Sequence, residues 1–190
     1  MEIDSDTYFI EVDIADGVRQ SIEHLYHRGK RRIGIVSMDD LYVATQSTFK
    51  AYHQTLNKYG LSDEPVLQSM ISPGTSEDMK SEEIEKSISQ IVLNGKADAI
   101  LARNDFMALM AIKTLRSLKL RIPEDVAVIG SDKIPVCRMV DPMITSVDHN
   151  NEIVAAKAVE MVTHLIEGRS ISEDQRQMVV KPTLVVRESA

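Results

Sequence analysis

Short apolar runs and helical apolar periods take turns along almost the whole chain, and few architectures tolerate that order. Residues 7–13 (TYFIEVD) read as a strand, and residues 17–28 then put Val18, Ile22, Leu25 and Tyr26 on one helical face, with Gly29 as the stop. IGIV (33–36) is a buried strand, and the helix after it carries Phe49, Tyr52, Leu56 and Tyr59 up to Gly60. VLQSMI (66–71) is strand-like and gives way to a turn at Pro73-Gly74. Thr75-x-x-Asp78 has the form of a helix-opening box, followed by an inner stripe of Ile84, Ile88, Ile91 and Val92 that Gly95 closes. The strand DAILA (98–102) leads to a helix capped by Asn104 or Asp105, with Ala108, Ile112 and Leu115 inward. VAVIG (126–130) and ITSV (144–147) are further strands. A helix at 151–167 is expected to turn Val154, Ala158, Met161, Val162 and Leu165 inward, and the β-rich runs MVVKP and TLVVR finish the chain. Short apolar strands separated by helices mean βαβ units, so the fold class is α/β with a parallel sheet.

Composition narrows the function. The 190 residues hold 22 Lys and Arg against 29 Asp and Glu, a formal charge of −7, which is a poor balance for gripping a nucleic-acid backbone. The single cysteine, Cys137, excludes an intramolecular disulfide and a thiol-based metal site, and it fits a reducing compartment. No apolar run approaches the ~18 residues of a membrane span, and the acidic start MEIDSDTY is unlike a signal peptide. The expectation is a cytoplasmic protein.

Enzyme signatures are missing: the sequence has no G-x-G-x-x-G after the first strand, no phosphate-binding G-x-x-x-x-G-K-[ST] and no G-x-S-x-G elbow. No cofactor and no metal are expected. His24 and His27 flank one helical face beside Glu23, but the spacing offers no third ligand, so a solvated helix end is the better reading. The basic cluster Arg28, Lys30, Arg31 and Arg32 suits the C-terminal end of the same helix. Three polar segments are harder to dismiss: Arg103-Asn104-Asp105, Ser131-Asp132-Lys133 and Asp148-His149-Asn150-Asn151 each end or follow a strand. In a parallel sheet all three fall at the carboxyl edge, where they can converge on one ligand, although each residue taken singly reads as a cap or a turn.

Five blocks in order carry a resemblance. They are Gly29-Lys30-Arg31-Arg32-Ile33, Asn104-Asp105-Phe106-Met107-Ala108-Leu109, Arg121 through Asp132 (RIPEDVAVIGSD), Pro142 through Val147 (PMITSV), and Leu184-Val185-Val186-Arg187-Glu188-Ser189. Together they resemble the effector-binding core of the LacI/GalR family of bacterial transcriptional regulators, from about residue 8 to the end. The closing Val-Val-Arg-Glu-Ser favours regulators over the related periplasmic sugar-binding proteins, which remain the alternative as solute-binding components of a sugar transporter.

The resemblance implies a type I periplasmic-binding-protein-like fold of two subdomains around a ligand cleft. It makes residues 32–148 a nearly complete C-terminal subdomain, residues 1–28 and 149–180 parts of an N-terminal subdomain, and residues 181–190 a closing strand. The DNA-binding helix-turn-helix is absent from this chain, which therefore reads as truncated. Carried over by position, Asp132 accepts effector hydroxyls, Asn104 reaches the same ligand, His149 and Asn151 line the cleft from the third crossover, and Asp13 and Asp16 lie in the first. Thr48 stands where relatives place an effector-contacting arginine, Ser131 replaces an aromatic, and aromatics make up only 4% of the chain, so stacking on a sugar ring is under-supplied. The dimer contact of relatives maps onto Val136, Cys137, Arg138, Met139 and Val140, for which a satellite core cluster is the competing reading. The function implied is a non-enzymatic one. A small, sugar-like or otherwise hydroxylated effector would act on a homodimer that binds operator DNA through an N-terminal domain outside this chain, with no membrane partner. A small α/β enzyme using Asp105 and Asp132 as an acid–base pair ranks last, because neither nucleophile nor cofactor site is visible.

Overall fold

The computed structural model describes residues 7–38, 43–71 and 77–190. The elements follow the alternation. Strands are β1 (Phe9–Val12), β2 (Ile33–Met38), β3 (Gln68–Ile71), β4 (Ala99–Ala102), β5 (Ala127–Ser131), β6 (Thr145–Asp148), β7 (Gln177–Val180) and β8 (Thr183–Val185). Helices are α1 (Ile14–His27), α2 (Val43–Lys58), α3 (Glu77–Leu93), α4 (Asp105–Ser117), α5 (Asn151–Ile166) and the short α6 (Glu173–Arg176). The turn expected at Pro73-Gly74 and the opening of the Thr75 box lie outside the described residues. Pro65–Leu67 forms a 3-10 turn, so only the last four residues of VLQSMI are strand.

Six strands make one sheet in the order β3-β2-β4-β5-β6-β8. The first five run parallel, with Ile35 beside Leu101 and Leu101 beside Ile129, while β8 is antiparallel to β6, Ser146 facing Val185. The sheet is therefore mixed rather than all parallel. β7 and β8 are separated only by Lys181 and Pro182, yet they belong to different sheets, so the chain steps from one sheet to the other across this two-residue link. β1 and β7 form a separate parallel pair, Phe9 beside Gln177.

Two apolar layers cover the larger sheet. On one face α3 and α4 bury Ile84, Ile88, Ile91, Ala108, Ile112 and Leu115 against Val36, Ile100 and Val128. On the other, α1 and α2 bury Ile22, Leu25, Tyr52 and Leu56 against Ile33, Ile35, Ala99 and Ile129. Alternate residues of each strand go to opposite layers because side chains alternate along a strand, and both sets are apolar because both faces are covered. Tyr52 meets the cost of burying its hydroxyl by donating to Ile33 O at 2.6 Å. The sequence division puts residues 1–28 with the smaller unit; the packing instead seats α1 on the larger sheet beside α2, since its apolar face meets that core.

The basic cluster after α1 is structural. Lys30 Nζ donates to Pro123 O and Glu124 O, Arg31 Nη1 to Tyr26 O, and Arg32 Nε to Gly95 O with a two-pronged pair to Glu64. Glu23 is likewise committed, to Arg19, Lys58 and Tyr59, rather than to a site with His24 and His27.

α5 departs from expectation. Met161 is its one buried residue, and Val162 and Leu165, expected inward, are 53% and 44% exposed. Val159 and Ile166 are exposed at 67% and 81%. The helix is apolar on more than one face, and among the described elements β1 is the one that packs on it closely.

Candidate ligand-binding site

A cavity of about 310 Å³ opens at the carboxyl edge of β2, β4, β5 and β6, between the strand ends and the first turns of α1 and α2. Its floor is aliphatic: Ile14, Val18, Ile35, Leu101, Ile129 and Val147. The polar groups on its wall are Ser21, Ser37, Thr48, Arg103, Asn104, Ser131, Asp132 and His149. This is the switch-edge position at which open α/β sheets collect ligands, and an apolar floor with a few convergent polar groups is the usual make-up of a small-molecule site.

Each polar group is held by its own local structure. Asn104 is both cap and wall: its backbone is extended, and its Oδ1 accepts from Met107 N at 2.9 Å to open α4. Arg103 donates from its backbone to Val36 O at 2.9 Å, and its guanidinium donates to Thr45 Oγ1 on α2. Thr48, one turn further along α2, turns its hydroxyl back to Ala44 O at 2.9 Å. Asp132 and Lys133 are successive residues in the left-handed region, φ 102° and 53°, and Asp132 N donates to Val147 O. His149 Nε2 lies 2.8 Å from Ser131 Oγ and 3.4 Å from Asp132 Oδ1. Burial alone would raise the Asp148 carboxyl, but the Lys133 ammonium and the Asn150 N–H outweigh it and hold that group below the usual range.

Asp132, Asn104, His149 and Thr48 thus share one cavity; the other three expected residues do not line it. Asp13 caps α1 by accepting from Asp16 N at 2.9 Å, and Asp16 turns to Arg19 and Gln20. α1 presents Ile14, Gly17, Val18 and Ser21 to the cavity instead. Asn151 is the exposed first residue of α5, and Asn150 before it takes the left-handed cap position, donating to Lys181 O. Arg103 and Ser131 belong to the polar segments expected at this edge, whereas Ser37 carries no signal in the sequence; it is buried with no hydrogen-bond partner for its hydroxyl among the described residues. Asp105 is 1% exposed and bonded to Ser146 and Ile134, which leaves it out of any acid–base pair with Asp132.

The Val136–Val140 segment divides. Cys137 is fully buried in the core, and burial together with the neighbouring Asp105 carboxylate pushes its thiol up to about 12. Met139 is 79% exposed, Arg138 is exposed, and Val136 and Val140 are half-buried. No helix among the described residues is long and apolar enough to cross a membrane.

Residues 22–190 match the periplasmic binding protein-like domain family. The chain is 27% identical over 182 residues to the HTH-type transcriptional regulator CelR of Thermobifida fusca, covering 95% of this chain and 51% of that one. It is 28% identical over 176 residues to the transcriptional repressor PurR of Pasteurella multocida, covering 92% and 50%. Among solved structures, a LacI-family regulatory protein from Chloroflexus aggregans superposes with a TM-score of 0.86 at 25% identity, over 99% of this chain and 65% of that one. A CelR–cellobiose complex superposes with a TM-score of 0.83 at 25% identity, over 99% and 55%. The chain spans about half the length of the curated relatives it matches.

Proposed function

The chain belongs to the periplasmic binding protein-like family, in the form that LacI-type transcriptional regulators use as an effector-binding domain, and from that premise we propose that its cavity binds a small hydroxylated effector. The observation that carries this is the convergence of Asn104, Asp132, His149 and Thr48 on one cavity with an aliphatic floor. A carboxylate accepts two hydroxyls at once, and the amide, imidazole and hydroxyl add donors and acceptors around it. The aliphatic floor suits the apolar face of a ring or short chain, and none of the described residues lining the cavity is aromatic.

Binding would act by population shift. A ligand clasped between the β-strand ends and α1 and α2 favours one arrangement of the protein, and control of operator DNA follows from that bias in a cytoplasmic regulator. DNA is engaged through a domain outside these 190 residues. The exposed part of the Val136–Val140 segment, centred on Met139 and Arg138, is the surface proposed to meet a second copy, while Cys137 holds it to the core. We place the subdomain division at the Val12–Asp13 junction, where the chain leaves the β1–β7 pair for the larger sheet.

The test is calorimetric titration with cellobiose, D-glucose and D-glucitol, repeated on Asp132→Asn. The expected result is saturable binding of at least one probe, weakened about tenfold or more by losing a charged acceptor. Binding that is equally tight in Asp132→Asn would remove this cavity as the site.

A further inference from the structure

We propose that Asp105 is a positioning residue: it fixes the Asp132 loop in its left-handed form and ties that loop to the turn carrying Cys137. Asp105 begins α4, is 1% exposed, and lies beneath the loop rather than in the cavity lining. Its Oδ1 accepts from Ser146 Oγ at 2.6 Å and its Oδ2 from Ile134 N at 2.8 Å. Ser146 Oγ in turn accepts from Lys133 N at 3.0 Å. One carboxylate therefore commands the backbone N–H groups of two consecutive loop residues, one directly and one through a hydroxyl.

The geometry around it fits this role. Asp132 and Lys133 both have positive φ, a conformation that side-chain-bearing residues adopt reluctantly and keep only when their surroundings hold them. Gly130, just before the loop, lets the carboxylate lie against β5: a Cβ there would sit 2.3 Å from Asp105 Oδ1. The charge, costly to bury, is met by these donors and by the N-terminal end of α4. Cys137 completes the set. Its thiol contacts the same carboxylate, its N–H donates to Ile134 O at 3.0 Å, and its carbonyl accepts from Ile144 N at 2.9 Å. Movement of the ligand loop and of the exposed Met139 segment are thereby referred to one buried group. That this matters for ligand contact rests on the effector reading above; the clamp itself does not.

A backbone amide-exchange measurement on the isotopically labelled chain tests it without any ligand. Asp105→Asn keeps the shape but sets an NH₂ against one of the two donors. The expected result is exchange at Lys133 and Ile134 accelerated at least tenfold more than at Val128, whose amide in β5 donates to Ser189 O. Ser146→Ala removes only the relay and decides the matter should Asp105→Asn not fold: Lys133 is expected to lose protection while Ile134 keeps it. Exchange at Lys133 and Ile134 that merely tracks Val128 in Asp105→Asn, or protection at Lys133 that survives Ser146→Ala, overturns the proposal. Failure of the unsubstituted chain to bind any of the probes, with the exchange pattern as expected, would count against the effector reading and leave the clamp standing.

Discussion

Removing one oxygen from Ser189 is expected to cost this protein a large share of its stability. Ser189 is fully buried where β5 and β6 begin to separate. Its hydroxyl donates to Val128 O at 2.6 Å and lies 2.9 Å from Thr145 N, whose proton it accepts. Its backbone continues the stitch, with its N–H donating to Met143 O and its carbonyl accepting from Val128 N at 2.7 Å. Ser189→Ala leaves the backbone bonds in place and opens almost no space, so packing contributes little. It leaves one N–H and one carbonyl without that partner in the core. At about 1–3 kcal/mol for each buried group left unsatisfied, and less for a carbonyl with a second lone pair, the loss is about 2–4 kcal/mol. For a chain of this length that is a fall in Tm of roughly 5–15 °C. Urea unfolding is the assay, with the midpoint lowered and the slope unchanged. Ser172→Ala is the control: that exposed hydroxyl donates to Gln175, and its loss is expected to cost under about 0.5 kcal/mol. A Ser189→Ala loss as small as the control's would refute the stitch.

Gly130→Ala is expected to destabilise by about 2 kcal/mol or more and to loosen the Asp132 loop, since the new methyl meets Asp105 Oδ1, Ala108 Cβ and the Asp105 backbone; thermal unfolding reads the first and amide exchange the second. Acid sensitivity has a definite sign. Glu64 and Asp125 are held at about 2 by the side chains of Arg32 and Arg121 respectively, and Asp148 is lowered by Lys133, so all three bind protons more readily unfolded than folded. Their contribution is full above the ordinary carboxylate range and is lost as pH falls through the folded values. Asp148→Asn should therefore flatten stability against pH below about 4, and an unchanged slope would contradict the pairing. The exposed apolar stripe of α5 is expected to drive self-association of this chain, so Val159→Lys with Val162→Glu should lower the weight-average mass seen by sedimentation; no change would mean the stripe is inert.

Much of this architecture is legible in the sequence because the strands are apolar on both faces and the helices on one. Ile33 through Val36 admit no other reading once Gly29 and the α2 stripe bracket them. The convergence at the carboxyl edge was legible too, since parallel order alone brings Asn104, Asp132 and His149 together. What sequence could not settle was orientation within a helix turn. Asp13 and Asp16 look like cleft carboxylates, yet capping α1 uses Asp13, and the Arg19 and Gln20 side chains draw Asp16 away from the cavity. The resemblance maps a dimer contact onto the whole Val136–Val140 segment, with a core cluster as the competing reading; a 3-10 turn sends Cys137 inward and Met139 outward. Asp105 read as a cap competing with Asn104, and only the fold reveals that Asn104 takes the cap and leaves the carboxylate for the loop.

The double duty of Asn104 makes the two sides of the cavity unequal in what they can become. On the strand side a change of ligand preference is also a change of fold. Asn104 cannot be exchanged for an apolar residue without uncapping α4, and Ser131 and His149 hold each other. On the helix side Ile14, Ala44 and Thr48 line the cavity with few outside obligations, while Val18 also packs on the core; the Thr48 hydroxyl bonds within its own helix. A lineage of such proteins drifting toward a new effector would therefore record its history on α1 and α2, while the strand ends stayed as they are.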